Sequence, residues 1–171
     1  MGLFDKIFKK ENEPALKQEI PGKTRLVFMG KEYVISSQVA GSVSDEHSKE
    51  LYDMALSKIP EAEEVMREYI SDNYSDLVEF HCEGFTLPDD TSSQLYADLK
   101  LLTDEYNALL FEDSFDAEAK KGIESMMRIL KPNEITVMKD YVSLGIFASA
   151  YESEGYEVIF KQEGVSVRTW E

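Results

Sequence analysis

The chain has 171 residues, 43% of them hydrophobic, with 18 Lys and Arg against 34 Asp and Glu for a formal net charge of -16. That length points to one domain with a core that forms without staples, and the single cysteine, Cys82, excludes an internal disulfide. A field of this sign repels nucleic-acid backbone and anionic lipid, and no apolar run approaches the ~18 residues of a membrane span.

The opening MGLFDKIFKK reads as a short amphipathic helix, with Leu3, Phe4, Ile7 and Phe8 on one face and Lys6 and Lys10 off it. Lys6, Lys9 and Lys10 interrupt any signal-peptide apolar region, and Lys6 stands where a myristoylation pattern needs Ser or Thr. Cytoplasmic location is the expectation. The segment has three expected states, in this order: docked on the protein's own acidic surface (or that of another copy), disordered, or on a membrane surface. Residues 11–22, with Pro14, Pro21 and Gly22, read as a linker, so 1–22 is set apart from a single α+β domain over 23–171.

Two β-rich runs follow, Arg25–Met29 and Glu32–Ser36, which predict a hairpin turning at Gly30-Lys31. Ser44 then caps a helix with Leu51, Met54, Ala55 and Ile59 at helical spacing. Pro60 suits the first turn of a second helix reaching about Tyr74, with Ala62, Val65, Met66, Tyr69 and Ile70 inward. Glu61, Glu64, Glu68 and Asp72 form an acidic stripe on its flank.

Residues 79–93 read as a loop or short strand ending in turn chemistry. Asp90 or Thr91 is the expected cap of a third helix, with Leu95, Leu99, Leu102, Tyr106 and Leu109 or Leu110 inward. A fourth helix is expected from about Asp116 to Leu130, ended by Pro132. EITVMK, VSLGIFASA, YEVIFK and VSVRTW then return to strand grammar and predict an antiparallel meander. Strands, helices, then strands make an α+β fold: an antiparallel sheet, from the hairpin and the meander, against about four helices.

The charge is unevenly placed. Residues 1–40 carry seven Lys and Arg against five Asp and Glu, residues 41–120 five against twenty-one, and residues 121–171 six against eight. The acidity therefore sits in the helical middle and favours a basic protein as partner. The expected contact residues are Glu61, Glu64, Glu68 and Asp72, the acidic loop at Asp89 and Asp90, and Tyr151 and Tyr156 beside the ESEG turn.

For catalysis or metal binding the signals are thin. His81 and Cys82 adjoin, but neighbours on a strand face opposite ways, and His47 is the one other His or Cys. The carboxylate clusters lack the calcium-loop spacing, and no phosphate-binding, nucleophile-elbow or zinc-helix motif occurs. The expectation is a non-catalytic chain without metal or cofactor.

The C-terminal run DYVSLGIFASAYESEGYEVIFKQEGVSV resembles the end of small acidic bacterial domains of the immunity-protein type, with an LG strand, a Glu-Gly turn and a V-x-F strand. Tyr151 stands where those domains carry Trp in the late turn. The resemblance implies an α+β domain that inhibits a basic toxin, and it brings no binding residues with it. The alternatives are a peripheral membrane protein using its N-terminal helix, and an enzyme or metal-binding protein.

Overall fold

The structure, a computed structural model, describes residues 20–41, 43–82, 85–112, 114–116, 118–148 and 151–169; the side chains of Phe80, His81, Ala148 and residues 151–154 are outside the description. Leu3, Phe4, Ile7 and Phe8 therefore lie outside the described residues, as does most of the segment read as a linker.

Alternation drives the hairpin. In β1 (Lys23–Phe28), Thr24, Leu26 and Phe28 point inward and their neighbours outward. β2 (Lys31–Val39) pairs with it so that Phe28 faces Lys31, which places the turn at Met29-Gly30, one residue before the expected position. Both turn residues have positive φ, 50° and 70°, the pattern of the tight turn that matches strand twist. A left-handed Met costs about 1 kcal/mol or more. The Met29 N–H offsets part of that by donating to Glu63 Oε1 at 2.6 Å.

α1 (Asp45–Ser57) starts where Ser44 accepts from the His47 N–H. α2 (Ile59–Asp72) has Pro60 in its first turn and buries Ala62, Met66 and Ile70. A helix absent from the sequence reading follows: α3 (Tyr74–Cys82) occupies part of the segment expected to be loop or strand. Leu77, Val78 and Cys82, at helical spacing, bury its inner face.

The next cap also moves. Asp90 closes a turn onto the Ser92 N–H, and Ser93 caps α4 (Gln94–Asn107) by accepting from Tyr96 N at 3.1 Å. A π-helical turn, Ala108–Glu112, extends α4. The last helix is shorter than expected, α5 (Ile123–Ile129), because Asp116 folds back onto Glu118 N and Ala119 N and Lys120 takes a positive φ of 43°. Leu130 is buried, as a strand residue.

The four C-terminal strands form the meander: β3 (Leu130–Val137), β4 (Val142–Ala148), β5 (Tyr151–Lys161) and β6 (Gly164–Thr169). The six-stranded sheet has the order β1-β2-β3-β4-β5-β6, antiparallel throughout except where β2 meets β3 in parallel, Ser37 opposite Ile135. That single parallel join requires a crossover, and all five helices lie within it.

The helices cover one face of the sheet, whose inward residues Phe28, Ile35, Ile135, Val137, Val142, Leu144, Ile146, Val158 and Phe160 are buried. α2 contacts both edge strands, β1 and β6. The sheet therefore curls round this helix as its right-handed twist accumulates. At its start, Lys58 Nζ donates to the Lys161 carbonyl at 2.7 Å and to that of Gln162 at 3.1 Å.

The end of the N-terminal segment joins the sheet: Ile20 packs on the core and the Gly22 carbonyl accepts from Ser37 N at 3.2 Å. Beneath it, Thr24 Oγ1 donates to Ser37 Oγ at 2.9 Å and lies 2.6 Å from the Tyr52 hydroxyl, while Ser37 Oγ donates to the Pro21 carbonyl. Three elements thus share one satisfied polar chain, which meets the rule that buried hydroxyls need partners.

Candidate functional site

Clamped between two sheet edges, α2 has a fixed inner face and therefore a fixed outer one. Glu61, Glu64, Glu68 and Asp72 are all exposed on it, in a line that a helical rise of 1.5 Å per residue makes about 16 Å long. Among the described residues none of the four is in an ion pair with Lys or Arg. The helix has one cation, Arg67, whose Nε donates to Glu124 Oε1 at 3.0 Å. That bond raises the guanidinium pKa and holds the Glu124 carboxyl below its ordinary value. Arg67 also attracts Glu64, one turn before it, without forming an ion pair, so the stripe has little counter-charge from its own helix. The last turn of α2 carries no basic residue, so the negative end of the helix dipole adds to the field there.

Beyond that end the stripe runs into an open cleft of about 260 Å³, whose lining includes Ser71, Asp72, Tyr74, Asp76, Glu118 and Lys120. Lys120, a cation in that lining, donates from Nζ to the neutral Ser71 hydroxyl at 3.1 Å. Beside the cleft, Tyr74 stacks on Phe115 with ring centroids 6.2 Å apart. Its hydroxyl donates to Glu105 Oε2 at 2.5 Å and accepts from the Gly122 N–H at 2.7 Å. Burial and the Glu105 bond both push that phenol far above its ordinary pKa, so it is a structural group and not an acid-base one.

The remaining expected contact residues scatter. Asp89 and Asp90 are exposed on the loop before α4, and hydrogen bonds from the Ser92 hydroxyl and N–H hold the Asp90 carboxyl below its ordinary pKa. Tyr156 corrects its expectation: it is 0% exposed, edge-on to Tyr69 at 6.0 Å, because it shares the inward face of β5 with Val158 and Phe160, under α2. The Tyr151 side chain lies outside the described residues.

His47 Nε2 lies 3.2 Å from the Lys139 carbonyl and joins α1 to the β3–β4 turn. Cys82 is buried, and burial followed by the nearby Glu105 pushes its thiol up to about 12. Labelling of native protein at pH 7.5 by a thiol-specific disulfide reagent is expected to run on the order of a thousand-fold slower than in urea. Equal rates would place the thiol at the surface. The described residues contain no group of three His, Cys, Asp or Glu able to hold a metal ion. No helix among them is long and apolar enough to cross a membrane.

Two features escaped the sequence reading. Asp98 is buried on α4 and bound by Arg128, although its position one turn before buried Leu102 was a signal for burial, and Leu95, expected inward, is exposed in the first turn. Leu110 and Phe111 are exposed, Phe111 by 75%, where one of Leu109 and Leu110 was expected inward and Leu109 is the one that packs on the core. No protein-family model, curated protein or solved structure matches the chain.

Proposed function

We propose that this chain is a non-catalytic interaction module that docks a basic protein along the outer face of α2. The exposed line of Glu61, Glu64, Glu68 and Asp72, none of them in an ion pair with Lys or Arg among the described residues, carries the reading. Carboxylates held on a clamped helix keep their spacing before the partner arrives. Their field speeds encounter and sets orientation more than it adds affinity. An immunity-type inhibitor that covers a basic toxin is one protein of this kind, and the resemblance of the last strands supports that form of the reading.

The test uses labelled oligolysine at about 50 mM salt, where screening is weak. Joint substitution Glu61→Gln, Glu64→Gln, Glu68→Gln and Asp72→Asn is expected to weaken binding about ten-fold, a loss of roughly 1.4 kcal/mol. The control neutralises four other exposed carboxylates, Glu32, Glu46, Glu50 and Asp140, and is expected to change it less than about three-fold. An equal loss in both would reduce the effect to net charge and sink the reading.

A further inference from the structure

Phe111 is the most exposed large hydrophobic side chain among the described residues, at 75%, and Leu110 beside it is 42% exposed. Along α4, Leu99 and Leu102 are buried, Tyr106 is half-buried and Leu109 packs on the core. The chain then widens into the π-turn Ala108–Glu112, closed by Ser114 N donating to the Ala108 carbonyl at 3.3 Å. Phe111 is nine residues past buried Leu102, half a turn off at about 100° per residue, so it stands on the outer face. The π-turn ends the helix with Leu110 beside it at the surface. Such single π-turns recur at functional positions. The Phe111 ring does not swing free: it rests edge-on to Tyr106, with centroids 6.4 Å apart at 77°. An aromatic already held by a neighbour loses little rotamer freedom on binding.

The surroundings define what fits it. Asp104 is paired with Lys100 and Glu105 accepts from Tyr74, so the carboxylates left exposed in the stretch after Phe111, among the described residues, are Glu112, Asp116 and Glu118. Glu118, from the same stretch, lines the cleft with Asp72 and Asp76, where the α2 stripe ends. The acidic face of α2 and the segment that carries Leu110 and Phe111 therefore meet at the cleft through Glu118, seven residues along the chain from Phe111.

We propose that Leu110 and Phe111 are the apolar anchor of the docking surface, and that the occupant is a basic amphipathic helix of the partner protein. This rests on the reading of α2 as a face for a basic partner, and it adds what that reading lacks, a source of specificity. Carboxylates attract any cation; an exposed ring selects a partner that sets an apolar side chain among its basic ones. The complement is a helix with Leu, Ile or Phe on one stripe and Lys or Arg flanking it. Its apolar stripe covers Phe111, while its cations meet Glu112, Glu118 and the end of the α2 stripe. The field governs association and the buried ring governs dissociation.

The test uses full-length protein and two synthetic peptides of equal charge, a Lys/Leu amphipathic helix and an oligolysine, followed by surface plasmon resonance. Wild-type protein is expected to hold the amphipathic peptide about ten-fold more tightly than oligolysine, with the difference in the off-rate. Phe111→Ala is expected to erase that preference and leave oligolysine binding within about two-fold. Because the ring is exposed, the variant is expected to melt with wild type, which separates lost contact from lost fold. Leu110→Ser, measured alongside, is expected to reduce the preference in part. A preference for the amphipathic peptide that survives Phe111→Ala, or no preference in the wild type, would overturn the anchor. The anchor then fails by itself if neutralising the α2 stripe still weakens oligolysine binding. If the stripe variant has no effect, the docking reading fails with it.

Discussion

Replacing Arg128 by Met is expected to destabilise the fold by about 3–5 kcal/mol and to reverse how its stability responds to acid. Asp98 is 3% exposed and accepts from Arg128 Nη2 at 2.7 Å, Arg128 Nε at 3.0 Å, Ser125 Oγ at 2.9 Å and Gln94 Nε2 at 3.0 Å. Burial alone would raise its carboxyl pKa. The hydrogen bonds from Arg128, Ser125 and Gln94, with the attraction of the guanidinium, outweigh burial and lower it.

A carboxyl lowered in the folded state adds stability above its unfolded value of about 3.9, and that stability is lost as pH falls through the lower folded value. Without the guanidinium, burial dominates, the folded value rises above the unfolded one, and protonation relieves the fold. Urea unfolding across pH 3 to 7 is thus expected to show wild type weakening with acid while Arg128→Met recovers part of its loss. Parallel pH profiles would show that the pair contributes little. Asp98→Ala is expected to cost less, about 3 kcal/mol, because the stranded charge is then that of Arg128, whose side chain reaches solvent.

Alanine at Gly122 is expected to cost about 2–4 kcal/mol, from overpacking and a displaced hydrogen bond. A Cβ there falls well inside contact distance of the Tyr74 hydroxyl and 2.8 Å from Leu102 Cδ2. The Leu102 methyl has some freedom to move. The Tyr74 hydroxyl has little: it is bound to Glu105 and to the Gly122 N–H, and its ring stacks on Phe115.

The backbone at Gly122, with φ of -88°, suits any residue, so the cost is steric. Tyr74→Phe removes the obstructing oxygen. It is expected to destabilise by about 1–3 kcal/mol, since it strands the Gly122 N–H and a Glu105 oxygen. In the double variant the new methyl fills the space the oxygen left, and the combined cost is expected to fall short of the sum by at least about 1 kcal/mol. Denaturant midpoints for the two single variants and the double decide this. Additive costs would mean that the hydroxyl is not what excludes a side chain at position 122.

Parts of this architecture were written locally. Alternation in TRLVF and YVIS produced the hairpin, Ser44 and Pro60 opened two helices, and the β-rich runs after Leu130 produced the meander. Each depends on residues within a few positions of one another, so the side-chain period shows it directly. The acidic stripe was legible for the same reason. Once Ala62, Met66 and Ile70 face inward, Glu61, Glu64, Glu68 and Asp72 face out.

What the local pattern left open was decided by contacts far apart in the chain. α3 is a helix because Leu77, Val78 and Cys82 find a core to enter, whereas the segment by itself mixes strand and loop signals. The parallel junction of β2 and β3 joins residues about a hundred positions apart, and no turn residue announces it. Tyr156 shares the inward period of Val158 and Phe160 on β5, and Phe111 stands half a turn off the Leu102 line, so the local pattern carried both. That Tyr156 meets Tyr69 of α2 was added by the fold. The sequence by itself determined the class of fold and the sign and place of its charge, since both follow from composition and short-range period. Which strand pairs with β2, and which carboxylate is buried against an arginine, depended on tertiary packing, because burial belongs to a pair of surfaces and a local pattern describes one of them.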